Sequence, residues 1–197
     1  MSTLRKHKSH LLARKAIFFL LLSCLGWTQD RSSVPRFEDY TVTPAFSGAV
    51  ATPKLVTPQE QSYADQIRDG VENGFGVFRA GKEQKGPNFA GNLIVIQWGC
   101  GSPCMRMAVV DAQTGEVHCP PISFEGIGKN GFDLPLLTRD QNVPQNPEVE
   151  FRLNSGLMII RATPNSNQSG SHRSYTYYFL WRQNGWALLR SIPLAKQ

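Results

Sequence analysis

Outside its first thirty residues the chain has only two histidines, His118 and His172, so a histidine base has few places to come from. There is no Gly-x-Ser-x-Gly elbow, phosphate loop, dinucleotide fingerprint or His-Glu-x-x-His helix, which leaves the motif-bearing hydrolase, nucleotide-binding and zinc-protease classes without support. The thioredoxin-type Cys-x-x-Cys spacing is also missing. No apolar run approaches the eighteen or so residues that span a bilayer. Past residue 30 no cluster of Lys and Arg occurs of the kind that phosphate backbones require, so nucleic acid is not an expected partner.

What is present begins with a leader. Arg5, Lys6, Lys8, Arg14 and Lys15 occur with no acid among them, and residues 16–22 are wholly apolar, a basic n-region followed by an h-region. Residues 1–28 are therefore expected to be a signal peptide, placing the mature protein in the periplasm or outside the cell. Leu21-Leu22-Ser23-Cys24 also resembles a lipoprotein signal, with Cys24 as the alternative site of a lipid anchor. The leader changes the meaning of the charge. With its five basic residues taken from the total of 21, sixteen face fifteen acidic residues, and the mature chain is close to neutral.

Residues 29–56 are rich in Pro, Ser and Thr, with Phe37, Tyr40, Val42 and Phe46 as apolar anchors, and read as an extended arm laid on the domain. Thr57-Pro58-Gln59-Glu60 carries both halves of a capping box with proline at the first helical position. Tyr63, Ala64, Ile67 and Val71 then form one apolar stripe, closed by Gly70 or Gly74. Residues 93–96, Leu-Ile-Val-Ile, are short and β-branched and read as a buried strand. Asp111 followed by Thr114-Gly115 marks a hairpin, and Pro120-Pro121 stops its second arm because proline has no amide for the ladder. Residues 123–147 form a long Gly-, Pro- and Asn-rich excursion. Strands follow at 148–153, 157–162, 175–182 and 186–192. In the third of these Tyr175, Tyr177, Phe179 and Trp181 make an aromatic stripe, expected to be core against the helix. The expected fold is α+β over residues 57–197, one N-terminal helix packed on a mainly antiparallel meander sheet of six or seven strands.

The densest group of unusual residues is Asn88-Phe89-Ala90-Gly91, the strand, Trp98-Gly99-Cys100-Gly101, Cys104, and Ala108 to Val117 with its Asp-Ala-Gln-Thr-Gly turn. These features together resemble an uncharacterised family of small exported bacterial proteins with the pattern NFAG, WGCG, a following Cys and DAxTGxV. This chain has Asn92-Leu93 where the family pattern has His-Tyr. The resemblance implies export and a shared fold, and supplies no chemistry.

Cys100 and Cys104 would lie about 13 Å apart in a straight strand, beyond the roughly 4.4–6.8 Å that a disulfide spans. Gly101, Ser102 and Pro103 can bend the chain enough to close that gap, and an oxidising compartment favours the bond. A Cys3His zinc set with Cys119 and His118 is not expected, because adjacent residues on a strand point to opposite faces. Neither a metal nor a cofactor is therefore expected. Two functional readings follow. The first is an exported non-enzymatic domain that binds a protein or cell-envelope component through the 123–147 excursion and the bend after Trp98, with Asn88, Phe89, Trp98, Gly99, Phe124 and Phe132 as candidate binding residues. The alternative is a thiol-dependent envelope enzyme using Cys100. Native alkylation of that residue separates the two.

Overall fold

A computed structural model describes residues 33–43, 46–74, 85–138, 144–163 and 173–195. The expected signal peptide, the Cys24 lipid-anchor site, most of the loop after the helix and His172 lie outside the described residues. The chain divides into two units, Met1–Val34 and Pro35–Gln197, and the architecture below is that of the second.

The capping box forms as its residues dictate. The Glu60 amide donates to Thr57 Oγ1 at 3.2 Å, and the Thr57 amide donates to Glu60 Oε2 at 2.9 Å. The helix it starts is interrupted at Tyr63, giving α1 (Pro58–Ser62) and α2 (Ala64–Asn73), with Gly74 closing the second in a left-handed conformation. Ile67, Gly70 and Val71 are the buried face.

The expected single meander sheet is not what forms, and α+β is corrected to a mostly β architecture with one helix of more than two turns. Among the described residues the first sheet is three-stranded, in the order β1 (Leu93–Gly101), β2 (Cys104–Asp111), β3 (Val117–His118). The second is four-stranded, in the order β11 (Gly185–Pro193), β10 (Tyr175–Arg182), β9 (Leu157–Ala162), β8 (Glu148–Phe151). Two small ladders lie between them in sequence: β4 (Ile122–Ser123) with β5 (Gly126–Ile127), and β6 (Leu137–Thr138) with β7 (Pro144–Gln145). All of these pairings are antiparallel.

The physical reason for two sheets is burial on both faces of the central strands. Leu93 and Val95 of β1 join Met105, Met107 and Val109 of β2 in a core shared with Met158, Ile160, Tyr177 and Phe179 of the second sheet. Ile94, Ile96 and Trp98 point the other way, to Ile67 and Val71 of α2. Part of the outer face of the second sheet is covered in turn: Leu157, Ile159 and Tyr178 pack on Phe37, in a 3₁₀ turn Phe37–Tyr40 of the arm. A sheet with one solvent face would need only alternation, whereas six consecutive residues of β1, Leu93 to Trp98, five of β2, Met107 to Asp111, and four of β9, Leu157 to Ile160, are buried. The aromatic stripe thus faces the first sheet, and the expectation that it packs against the helix is overturned. Its centre, Tyr177 and Phe179, is buried and its ends, Tyr175 and Trp181, are half-buried.

The arm is held along its described length by backbone hydrogen bonds: Val42 to Asn154, Phe46 to Gly91, Ala51 to Ala112 and Lys54 to Gly115. At Gly115 the backbone has φ +76°, and a Cβ there would stand 2.2 Å from the Thr52 carbonyl oxygen. Glycine therefore serves both the turn and the arm that crosses it.

Candidate functional site

The bend after Trp98 is the tip of the β1–β2 hairpin. β1 does not stop at Trp98 but runs to Gly101, which pairs with Cys104, and the register shifts between Gly99 and Gly101 so that Cys100 is the extra residue of a bulge. Ser102 and the cis-linked Pro103 make the turn. Cys100 and Cys104 are bonded to each other, with their α-carbons 5.1 Å apart, within the range a disulfide requires. Gly99, Gly101 and Ser102 are exposed and both cysteines are half-buried.

Below the tip, on the helix side of the first sheet, Trp98 stands opposite Arg106. Tyr63, Trp98 and Phe132 form a three-ring cluster with centroids 5.6, 5.9 and 6.1 Å apart. The Arg106 guanidinium lies 4.7 Å from the Tyr63 ring centre, a cation–π contact, and its Nε donates to Asp133 Oδ1 at 2.7 Å. Asp133 pairs directly with Arg106 across the free edge of β2, fixed by the Met107 amide on the Phe132 carbonyl and the Leu134 amide on the Met105 carbonyl. The 123–147 excursion is therefore tied to the sheet at residues 132–134. Trp98 Nε1 is buried and has no hydrogen-bond partner among the described residues.

The sequence-derived binding residues divide. Gly99 is exposed at the tip and Phe124 is half-buried. Trp98 and Phe132 meet in the ring cluster, with Trp98 5% and Phe132 1% exposed. Asn88 and Phe89 belong elsewhere. Both ends of the Asn88 amide are engaged by one residue, Oδ1 accepting from the Val95 amide at 2.7 Å and Nδ2 donating to the Val95 carbonyl at 3.1 Å. Phe89 is fully buried and stacks on Trp186 at 5.7 Å. These two residues build the core edge of β1 and present no surface.

The groups with acid–base potential do not converge on the disulfide. His118 pairs opposite Val109, five residues along β2 from Cys104, or about 17 Å at strand rise. Its ring meets Trp181 edge-on at 4.9 Å, and burial holds its pKa below the usual histidine value. Cys119 is free, its carbonyl accepts from Trp186 Nε1 at 3.0 Å, and burial raises its thiol pKa. The Cys3His set therefore does not assemble. The cysteines instead have Asp133 as neighbour: the two sulfurs and a carboxylate oxygen of Asp133 lie within 4.8 Å of one another.

Sequence reasoning missed Asp133 and the part played by Tyr63. Tyr63 stood on the helical stripe, where only its packing was read. Nothing in the local pattern joins Asp133 to residues nearly thirty positions earlier. Comparison of the chain with family models, with curated proteins and with solved structures returns no match to any of the three.

Proposed function

We propose that the chain is an exported binding domain whose partner, a protein or another component of the cell envelope, docks on the end of the first sheet formed by the Gly99–Cys104 tip and the neighbouring segment around Phe124 and Phe132. The observation that carries this reading is the union of two distant segments at one end: the Arg106–Asp133 ion pair and the Trp98–Phe132 contact hold the excursion against the hairpin, and the disulfide fixes the tip. A loop fixed to a rigid sheet is a common platform for recognition. Export is supported by the basic n-region and the apolar residues 16–22, and by a bond suited to an oxidising compartment. The thiol-enzyme alternative has its nucleophile bound to Cys104, and His118 lies far along β2. The resemblance to small exported bacterial proteins agrees with this reading.

The test is capture from an envelope extract. A Cβ at Gly99 meets nothing within 4 Å and Ser102 is exposed, so Gly99→Lys with Ser102→Lys changes the tip and leaves the packing alone. The wild-type mature protein and a Gln66→Lys control on the exposed face of α2 should retain one envelope component that the tip variant loses. Equal capture by all three would refute the docking site. Fractionation with N-terminal sequencing tests export, and recovery of intact Met1 in the cytoplasm would end that part of the proposal.

A further inference from the structure

We propose that, once the Cys100–Cys104 bond is reduced, the two thiolates and the Asp133 carboxylate bind one thiophilic divalent metal ion of the zinc and cadmium class. The tip would then alternate between a disulfide and a metal site. The inference stands on the ligand geometry and does not rest on the proposed binding function.

The three ligand atoms already lie within 4.8 Å of one another. Around a tetrahedral ion, sulfurs at about 2.3 Å from the metal stand about 3.8 Å apart, and an oxygen at about 2.0–2.2 Å sits nearer still. The sulfurs need only separate from their bond to reach that spacing. The hairpin itself keeps them close, because Gly101 pairs with Cys104 and the α-carbons are 5.1 Å apart. Approach is open, since all three residues are half-buried beside the exposed Gly99, Gly101 and Ser102.

Charge also favours the site. Two thiolates and a carboxylate carry three negative charges, which a divalent ion and the Arg106 guanidinium together neutralise. Arg106 donates to Asp133 Oδ1 at 2.7 Å, orienting the carboxylate and leaving its second oxygen for the ion, as outer-shell partners of metal ligands do. Three protein ligands leave a fourth position for water or a partner's group. The redox step balances with an external dithiol, which supplies two electrons and two protons and closes to its own disulfide, or with a phosphine, which supplies two electrons and takes the oxygen of a water molecule whose two protons go to the sulfurs; either leaves two thiols. Binding of the ion then releases those two protons.

The experiment uses the full chain carrying Cys24→Ser and Cys119→Ser, so that Cys100 and Cys104 are its only thiols, titrated with Cd²⁺ and Zn²⁺ after phosphine reduction. One equivalent should bind, with a thiolate-to-cadmium charge-transfer band, and the oxidised protein should bind none. Asp133→Asn should weaken binding by at least about tenfold, and Cys100→Ser or Cys104→Ser should abolish the band. Absence of a one-to-one complex overturns the proposal. So does equal binding by the oxidised protein, or an Asp133→Asn variant that binds as tightly as its parent.

Discussion

Replacing Gly70 by alanine should destabilise the protein, although alanine is the better helix former. In an exposed helix the change would contribute about 1 kcal/mol of added stability. Gly70, however, faces the sheet, and a Cβ there would stand 2.4 Å from Ile96 Cγ2, 3.0 Å from Cγ1 and 3.1 Å from Cδ1. Ile96 is 1% exposed and lies in the middle of β1, so it has no solvent to turn into. Overpacking of this kind costs about 1–3 kcal/mol. With the propensity gain subtracted, and the clash at the severe end, the net loss should be about 1–2 kcal/mol. Urea unfolding monitored by tryptophan fluorescence reads this as a lower midpoint at unchanged slope. Ile96→Ala alone should cost about 2–5 kcal/mol through its cavity. In the double variant the methyl added at position 70 enters that space, so the pair should cost at least about 1 kcal/mol less than the sum of the singles. A Gly70→Ala variant more stable than wild type, or strict additivity in the cycle, would refute the close helix–sheet contact.

Asn88→Ala should cost about 1–3 kcal/mol, because the Val95 amide and carbonyl, both buried, lose their partners; a variant of wild-type stability would show that this amide is not structural. Peptide mapping of non-reduced protein should give one linked species containing Cys100 and Cys104 and a free Cys119. Replacing both tip cysteines with serine should lower stability by about 2 kcal/mol for so small a loop, and any linked peptide containing Cys119 would contradict the β2–β3 register. His118 supplies the pH dependence. Its folded pKa lies below the usual 6.5 because burial disfavours the charged form, so between that value and the folded pKa the unfolded chain binds more protons and stability falls as pH falls. His118→Gln should flatten this part of the stability profile, and an unchanged acid slope would show that another group is responsible.

The parts of the fold legible in the sequence are those whose causes are local. The capping box at Thr57 and Glu60 is written in neighbouring residues. So is the Asp111 turn, where Oδ1 accepts from the Gln113 and Thr114 amides at 2.7 and 2.9 Å. The cysteine pairing was legible for the same reason, since Gly101, Ser102 and Pro103 permit the return that brings Cys104 back to Cys100. The division into two sheets was not. Strands buried on both faces lose the alternation that assigns a face to a layer, so nothing in Leu93 to Ile96 says that odd positions meet the second sheet and even ones the helix. The site was hidden for a further reason. A Phe132-Asp133-Leu134 segment inside a Gly- and Pro-rich stretch reads as loop, and only its backbone bonds to Met105 and Met107 bring Asp133 beside Arg106 and the cysteines.

The central claim, that the disulfide-held tip is a docking surface, is tested most directly by site-specific photocrosslinking in cells that make the full chain. A photoreactive residue at Ser102 should give one discrete crosslinked product with an envelope component, while the same residue at Gln66, on the exposed side of α2, should give none. A ladder of unrelated products from both positions, or a single product from Gln66 and none from Ser102, would contradict the account.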